Sequence, residues 1–124
     1  MDKKTILYVH FHKETREHAK RFYEDADFNV LLAKNTKECI KMFQAEKPDI
    51  VQLLHMIPEM DALDILIKIK NIDSDAKVVV LSADGDGTGD EMDIFMNAGA
   101  CRYLYPPLTV DNMIHSVYVA ANED

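Results

Sequence analysis

A three-layer α/β architecture, a parallel sheet with helices on both faces, is predicted by three features of the sequence. Short apolar runs alternate with helical periods five times along the chain. The connections between them are short, as βα units require. One run, "DIVQLL" at 49–54, is almost continuously apolar, as a strand covered on both faces must be.

Each element has its own local reason. "TILYVHF" at 5–11 predicts the first strand. "HKETREHAKRFYEDA" predicts an amphipathic helix with Ala19, Phe22, Tyr23 and Ala26 on one face. Residues 28–32 form the second strand candidate. Asn35 and Glu38 have capping-box spacing for the helix that carries Cys39, Met42 and Phe43. The 49–54 run is the third strand, and Asp61 caps a helix over 63–69. "AKVVVLSA" gives a fourth strand, and "DEMDIFMNAGA" a helix stopped by Gly99. "CRYLY" gives a fifth strand, and Thr109 caps a last helix that runs to about Ala121. In such folds the working site lies beyond the carboxyl ends of the strands. That selects residues 10–12, 54–58, 82–86 and 105–107.

Composition narrows the function. A chain of 124 residues is one domain's worth, here taken as 1–124. No apolar run reaches the roughly 18 residues of a membrane span, and the opening MDKK leads into no signal-peptide stretch, so a cytoplasmic protein with no membrane contact is expected. A net charge of −8 without a basic cluster excludes the phosphate contacts of nucleic-acid binding. Cys39 and Cys101 lie far apart with no metal-binding spacing, so free thiols are expected rather than a disulfide. Gln52 is out of place in an apolar central strand, on the same face as Leu54. A buried amide needs a hydrogen-bond partner, expected among Tyr8, His10 and Tyr105.

The stretches "KTILYV", "EKPDIVQLL", "MIPEMDALDIL", "AKVVVLSA", "NAGACRYL" and "PPL" occur in an order and at spacings that resemble the receiver domain of bacterial two-component response regulators. The resemblance spans residues 3–121 and implies a flavodoxin-like sheet with strand order 2-1-3-4-5. It also implies a cis peptide at Pro106–Pro107. The family's chemistry needs an acidic pair that binds Mg²⁺; these positions fall at His10 and Phe11. Its phosphoryl-accepting aspartate falls at Leu54, and its lysine at Pro106. Its Thr or Ser is present as Ser82, and its switch aromatic as Tyr103. Mg²⁺ takes hard oxygen ligands, which Phe11 and Leu54 lack, and leucine offers no nucleophile for an acyl phosphate. No Mg²⁺ and no other cofactor are therefore expected, and loss of three clustered carboxylates should raise stability by relieving repulsion.

Replacement chemistry at the same place has three candidates. His10 and His12, at i and i+2 in an extended chain, point to one side, and His55 follows the neighbouring strand, a combination that suits Zn²⁺ or Cu²⁺. Ser82 with His10 as base suggests a hydrolase, with Asp84 orienting and amides of the 54–57 loop donating to an oxyanion. "SADGDGTGDEMD" at 82–93 places Ser82, Asp84, Asp86, Thr88, Asp90 and Asp93 at calcium-loop positions, although a strand rather than a helix precedes it.

The expectation that best joins these readings is a phosphorylation-incompetent pseudo-receiver, a monomer or weak dimer that binds a protein partner. The resemblance places that contact on residues 90–97, 101–105 and 109–121. The alternative is a receiver scaffold whose pocket was rebuilt, by selection or by an engineer, for catalysis or metal binding through His10, Ser82, His55 and Tyr105.

Overall fold

The computed structural model describes residues 3–55, 61–82 and 90–123. Five βα units follow one another: β1 (Thr5–Val9), α1 (Lys13–Asp25), β2 (Asn29–Ala33), α2 (Thr36–Glu46), β3 (Ile50–His55), α3 (Ala62–Ile72), β4 (Val78–Ser82), α4 (Glu91–Asn97), β5 (Arg102–Leu104) and α5 (Val110–Ala121). The strands form one sheet in the order β2-β1-β3-β4-β5, and every pairing is parallel. The predicted architecture and strand order are those observed.

Side-chain alternation divides the core into two layers. Leu7 and Val9 of β1, Val51 and Leu53 of β3, and Val78 and Val80 of β4 meet Cys39, Phe43, Ile65, Leu66, Ile69 and Phe95 from α2, α3 and α4. Ile6 and Tyr8, Ile50, and Val79 and Leu81 meet Ala19, Tyr23, Val117 and Ala120 from α1 and α5. Apart from Gln52 and the terminal His55 and Ser82, the central strands β3 and β4 are apolar because both of their faces are covered.

The helix boundaries follow local chemistry. Asn35 Oδ1 accepts from the Glu38 amide at 2.8 Å, and Glu38 Oε1 reaches back to the Lys34 amide at 3.1 Å. That is a capping box displaced by one residue on its return arm. Asp61 and Thr109 cap α3 and α5 through the amides of Asp64 and Asn112, each at 3.0 Å. Gly99 follows α4 at φ 110°, a conformation that favours glycine. The Pro106–Pro107 peptide is cis, as the resemblance implied.

Strand ends differ from expectation by one or two residues, and two of the differences have a visible cause. β1 stops at Val9 rather than running to residue 11. The His10 amide still bonds to Ala33 O at 3.0 Å, but Arg16 Nη1 then draws in the carbonyls of His10 and Phe11, each at 2.9 Å, and turns the chain outward. β2 begins at Asn29 because the Phe28 amide still closes α1 onto Tyr23 O at 3.0 Å. Among the described residues, no helix is long and apolar enough to cross a membrane.

Candidate functional site

The carboxyl ends of β1, β3 and β4 bring His10, Leu54, His55 and Ser82 to one edge of the sheet. In register, His55 stands beside Ser82 and Leu54 beside Leu81. Leu54 is partly buried against the α1/α5 layer, whereas Phe11 is 40% exposed.

His10 is the most constrained of these groups. It is buried, and its ring lies parallel to that of Tyr8 (centroids 6.4 Å apart) and of Phe11 (5.1 Å). The His12 amide donates to His10 Nδ1 at 3.0 Å. A neutral imidazole that accepts at Nδ1 carries its proton on Nε2, so neither nitrogen offers a lone pair for taking a proton from Ser82. Burial, reinforced by His12 and Arg16, lowers its pKa below the usual histidine value and favours that neutral form. The Ser82–His10 hydrolase expectation therefore lacks its base. Ser82 is buried at the end of β4. Asp84 and the loop beyond residue 55, which were to complete that machinery, lie outside the described residues.

The three-histidine expectation is also corrected. His10 and His12 do approach, edge to face, with ring centroids 6.4 Å apart. His55 looks the other way. Its Nδ1 is 3.1 Å from Tyr103 Oη, and its ring meets Phe95 at 4.6 Å, in the α2/α3/α4 layer. The reason is parity: β1 and β3 pair Tyr8 with Gln52, which sets His10 level with Leu54 and puts residue 55 on the opposite face. Among the described residues, no three His, Cys, Asp or Glu side chains are grouped to hold a metal ion. Most of the 82–93 calcium reading falls outside the described residues. Its first position, Ser82, ends a strand.

Gln52 is 1% exposed, and its partner is one the sequence reading did not name. Tyr23 of α1 donates its hydroxyl to Gln52 Oε1. Tyr8 stands beside Tyr23, its own pKa pushed up to about 12 by burial, while burial and then Tyr8 raise that of Tyr23. Tyr105, expected near Gln52, is instead 42% exposed and lines a groove between β5 and α5. Both cysteines are free, and burial pushes the Cys39 thiol up to about 12 and that of Cys101 upward, so neither is an activated nucleophile.

The pairing of His55 with Tyr103 was also missed. It ties the residue after Leu54 to the strand that carries the switch-aromatic position. A hard cation finds no suitable donors at the inherited positions: Phe11 and Leu54 have no oxygen in their side chains, and His10 Nδ1 is already taken. The residues present do not fit Mg²⁺.

A five-stranded doubly wound parallel sheet with His10, Leu54, His55 and Ser82 at the carboxyl ends of β1, β3 and β4 defines a flavodoxin-like α/β domain. The response regulator receiver domain model matches residues 6–118, and the chain belongs to that family. The chemotaxis protein CheY of Listeria monocytogenes is 36% identical over 103 residues, covering 82% of this chain and 85% of that protein. A response regulator from Thermotoga maritima superposes with a TM-score of 0.84 at 29% identity, covering 98% of this chain and all of that one. A receiver domain protein from Methanospirillum hungatei JF-1 gives 0.86 at 17% identity over 98% and 95% of the two chains, which speaks to the fold alone.

Proposed function

We propose that this receiver domain signals without phosphorylation, as a docking module for a protein partner. One observation carries the reading: the phosphoacceptor position is Leu54, which packs against the α1/α5 layer and has no nucleophilic atom. Its neighbours support the same conclusion. Phe11 supplies no metal-binding oxygen, Pro106 no charge to neutralise a phosphoryl group, and His10 is held by the His12 amide. The docking surface is α4, β5 and α5, where Ile94 and Tyr105 are exposed and β5 is the edge strand of the sheet among the described residues. His55 and Tyr103 join that surface to the end of β3, so its shape is set by packing rather than by a phosphoryl group.

Beryllofluoride with Mg²⁺ mimics the phosphorylated state of an active receiver, and amide spectra of ¹⁵N-labelled protein test the reading. Spectra recorded before and after its addition should superimpose. Shifts at Ser82 and Tyr103 that require Mg²⁺ would contradict the proposal.

A further inference from the structure

α4 is held to the rest of the domain at few points. It has seven residues, of which Phe95 alone is buried, and among the described residues its N-cap Asp90 makes no side-chain hydrogen bond to the helix. A short helix with so little buried surface sits at the low end of local stability. What surrounds Phe95 therefore decides how α4 is seated.

Two rings surround it. His55, at the end of β3, meets Phe95 with ring centroids 4.6 Å apart, and Tyr103 of β5 meets it at 5.5 Å. His55 Nδ1 lies 3.1 Å from Tyr103 Oη, which closes a triangle across β3, α4 and β5. The groups that face His55 are Tyr103, Ser82 beside it on β4, Glu91 at the start of α4 and Asp61 at the N-cap of α3. Both carboxylates belong to exposed residues.

The neutral ring suits this position. It packs against Phe95 with no charge to strip of water, and it can accept the Tyr103 hydroxyl. An imidazolium has no acceptor nitrogen, and it is drawn toward Glu91 and Asp61 at the exposed rim. Burial lowers the His55 pKa, with Glu91 and Asp61 opposing. The seated arrangement is therefore complete above the ordinary histidine value of about 6.5 and is lost as pH falls through the lowered one.

We propose that His55 is a proton-operated latch for α4 and β5. Neutral, it holds Phe95 and Tyr103 in the arrangement described; protonated, it turns toward Glu91 and Asp61 and frees both. Resting on the reading that this face docks a protein, the consequence is that acid weakens docking.

The test follows the His55 ring signals and the backbone amides of ¹⁵N-labelled protein from about pH 8 to about pH 4.5, a range that brackets histidine titration. Amides of residues 91–97 and 102–104 should shift in one step, with the midpoint of the His55 ring and below about 6.5. His55→Gln does not titrate and should lose that step. Tyr103→Phe keeps the ring and removes the hydroxyl, so residues 102–104 should lose the step while 91–97 retain it through Phe95. His10 also titrates, but it is level with Leu54 on the other face of the sheet, and the His55→Gln spectra separate the two. An undiminished step at residues 102–104 in either variant, a ring that titrates without the amides following, or a ring that stays neutral throughout would overturn the proposal. Each of these results leaves the docking reading to the beryllofluoride measurement.

Discussion

At Gln52 a buried amide in a central strand meets the hydroxyl of Tyr23, which comes from a helix 29 positions earlier in the chain. The oddness of Gln52 was legible because β3 is otherwise apolar. Its partner was not, because no local pattern links α1 to β3. Tyr23→Phe leaves Gln52 Oε1 buried without its donor, and urea denaturation should show a loss of about 1–3 kcal/mol. Adding Gln52→Leu removes the orphaned amide, so the double variant should recover much of that loss. His10 makes a pH-dependent contribution. Its folded pKa is lowered, chiefly by burial, so the folded state disfavours the proton. The stability it contributes is complete above the ordinary histidine pKa of about 6.5 and is lost as pH falls through the lowered folded value. His10→Asn keeps an acceptor for the His12 amide and does not titrate. Its melting temperature should fall less than the native protein's between about pH 7.5 and pH 5; equal falls would show that His10 is not a source of acid sensitivity.

Elements were more legible than the contacts between them, and the reason is the range of the interactions involved. Asn35, Asp61 and Thr109 bond to amides three residues on, so their roles stand in the sequence itself. The end of β1 does not, because Arg16 sets it from within the following helix. Gly99 belongs to the legible class. At φ 110° it takes a conformation that residues with a Cβ rarely adopt, and an added Cβ would lie 2.9 Å from Lys70 Cε. The lysine tip is flexible, although its Nζ bonds Ala76 O at 2.8 Å, so the backbone dominates. Gly99→Ala should cost about 1–2 kcal/mol, read as a lowered denaturation midpoint with an unchanged slope. A neutral effect would mean that the turn after α4 relaxes freely.

Over the whole molecule, the family match covers residues 6–118, and on the proposed reading the reactive positions carry His10, Phe11, Leu54 and Pro106. The sheet order was legible through that resemblance, and the layered core through alternation. The three-histidine cluster failed on register, since His10 is level with Leu54 whereas His55 faces the other layer. The same geometry predicts the fate of a simple repair. Leu54→Asp would set a carboxylate against an apolar layer with Phe11, His10 and Pro106 still in place, so neither metal nor lysine would support it. That variant should lose stability and remain inert to phosphodonors. The central claim concerns the native chain and has a direct measurement. Intact-mass spectrometry after acetyl phosphate treatment, with and without Mg²⁺ and beside an active receiver as control, should leave this protein's mass unchanged while the control gains a phosphoryl group. A Mg²⁺-dependent gain of one phosphoryl group on the native chain would contradict the account.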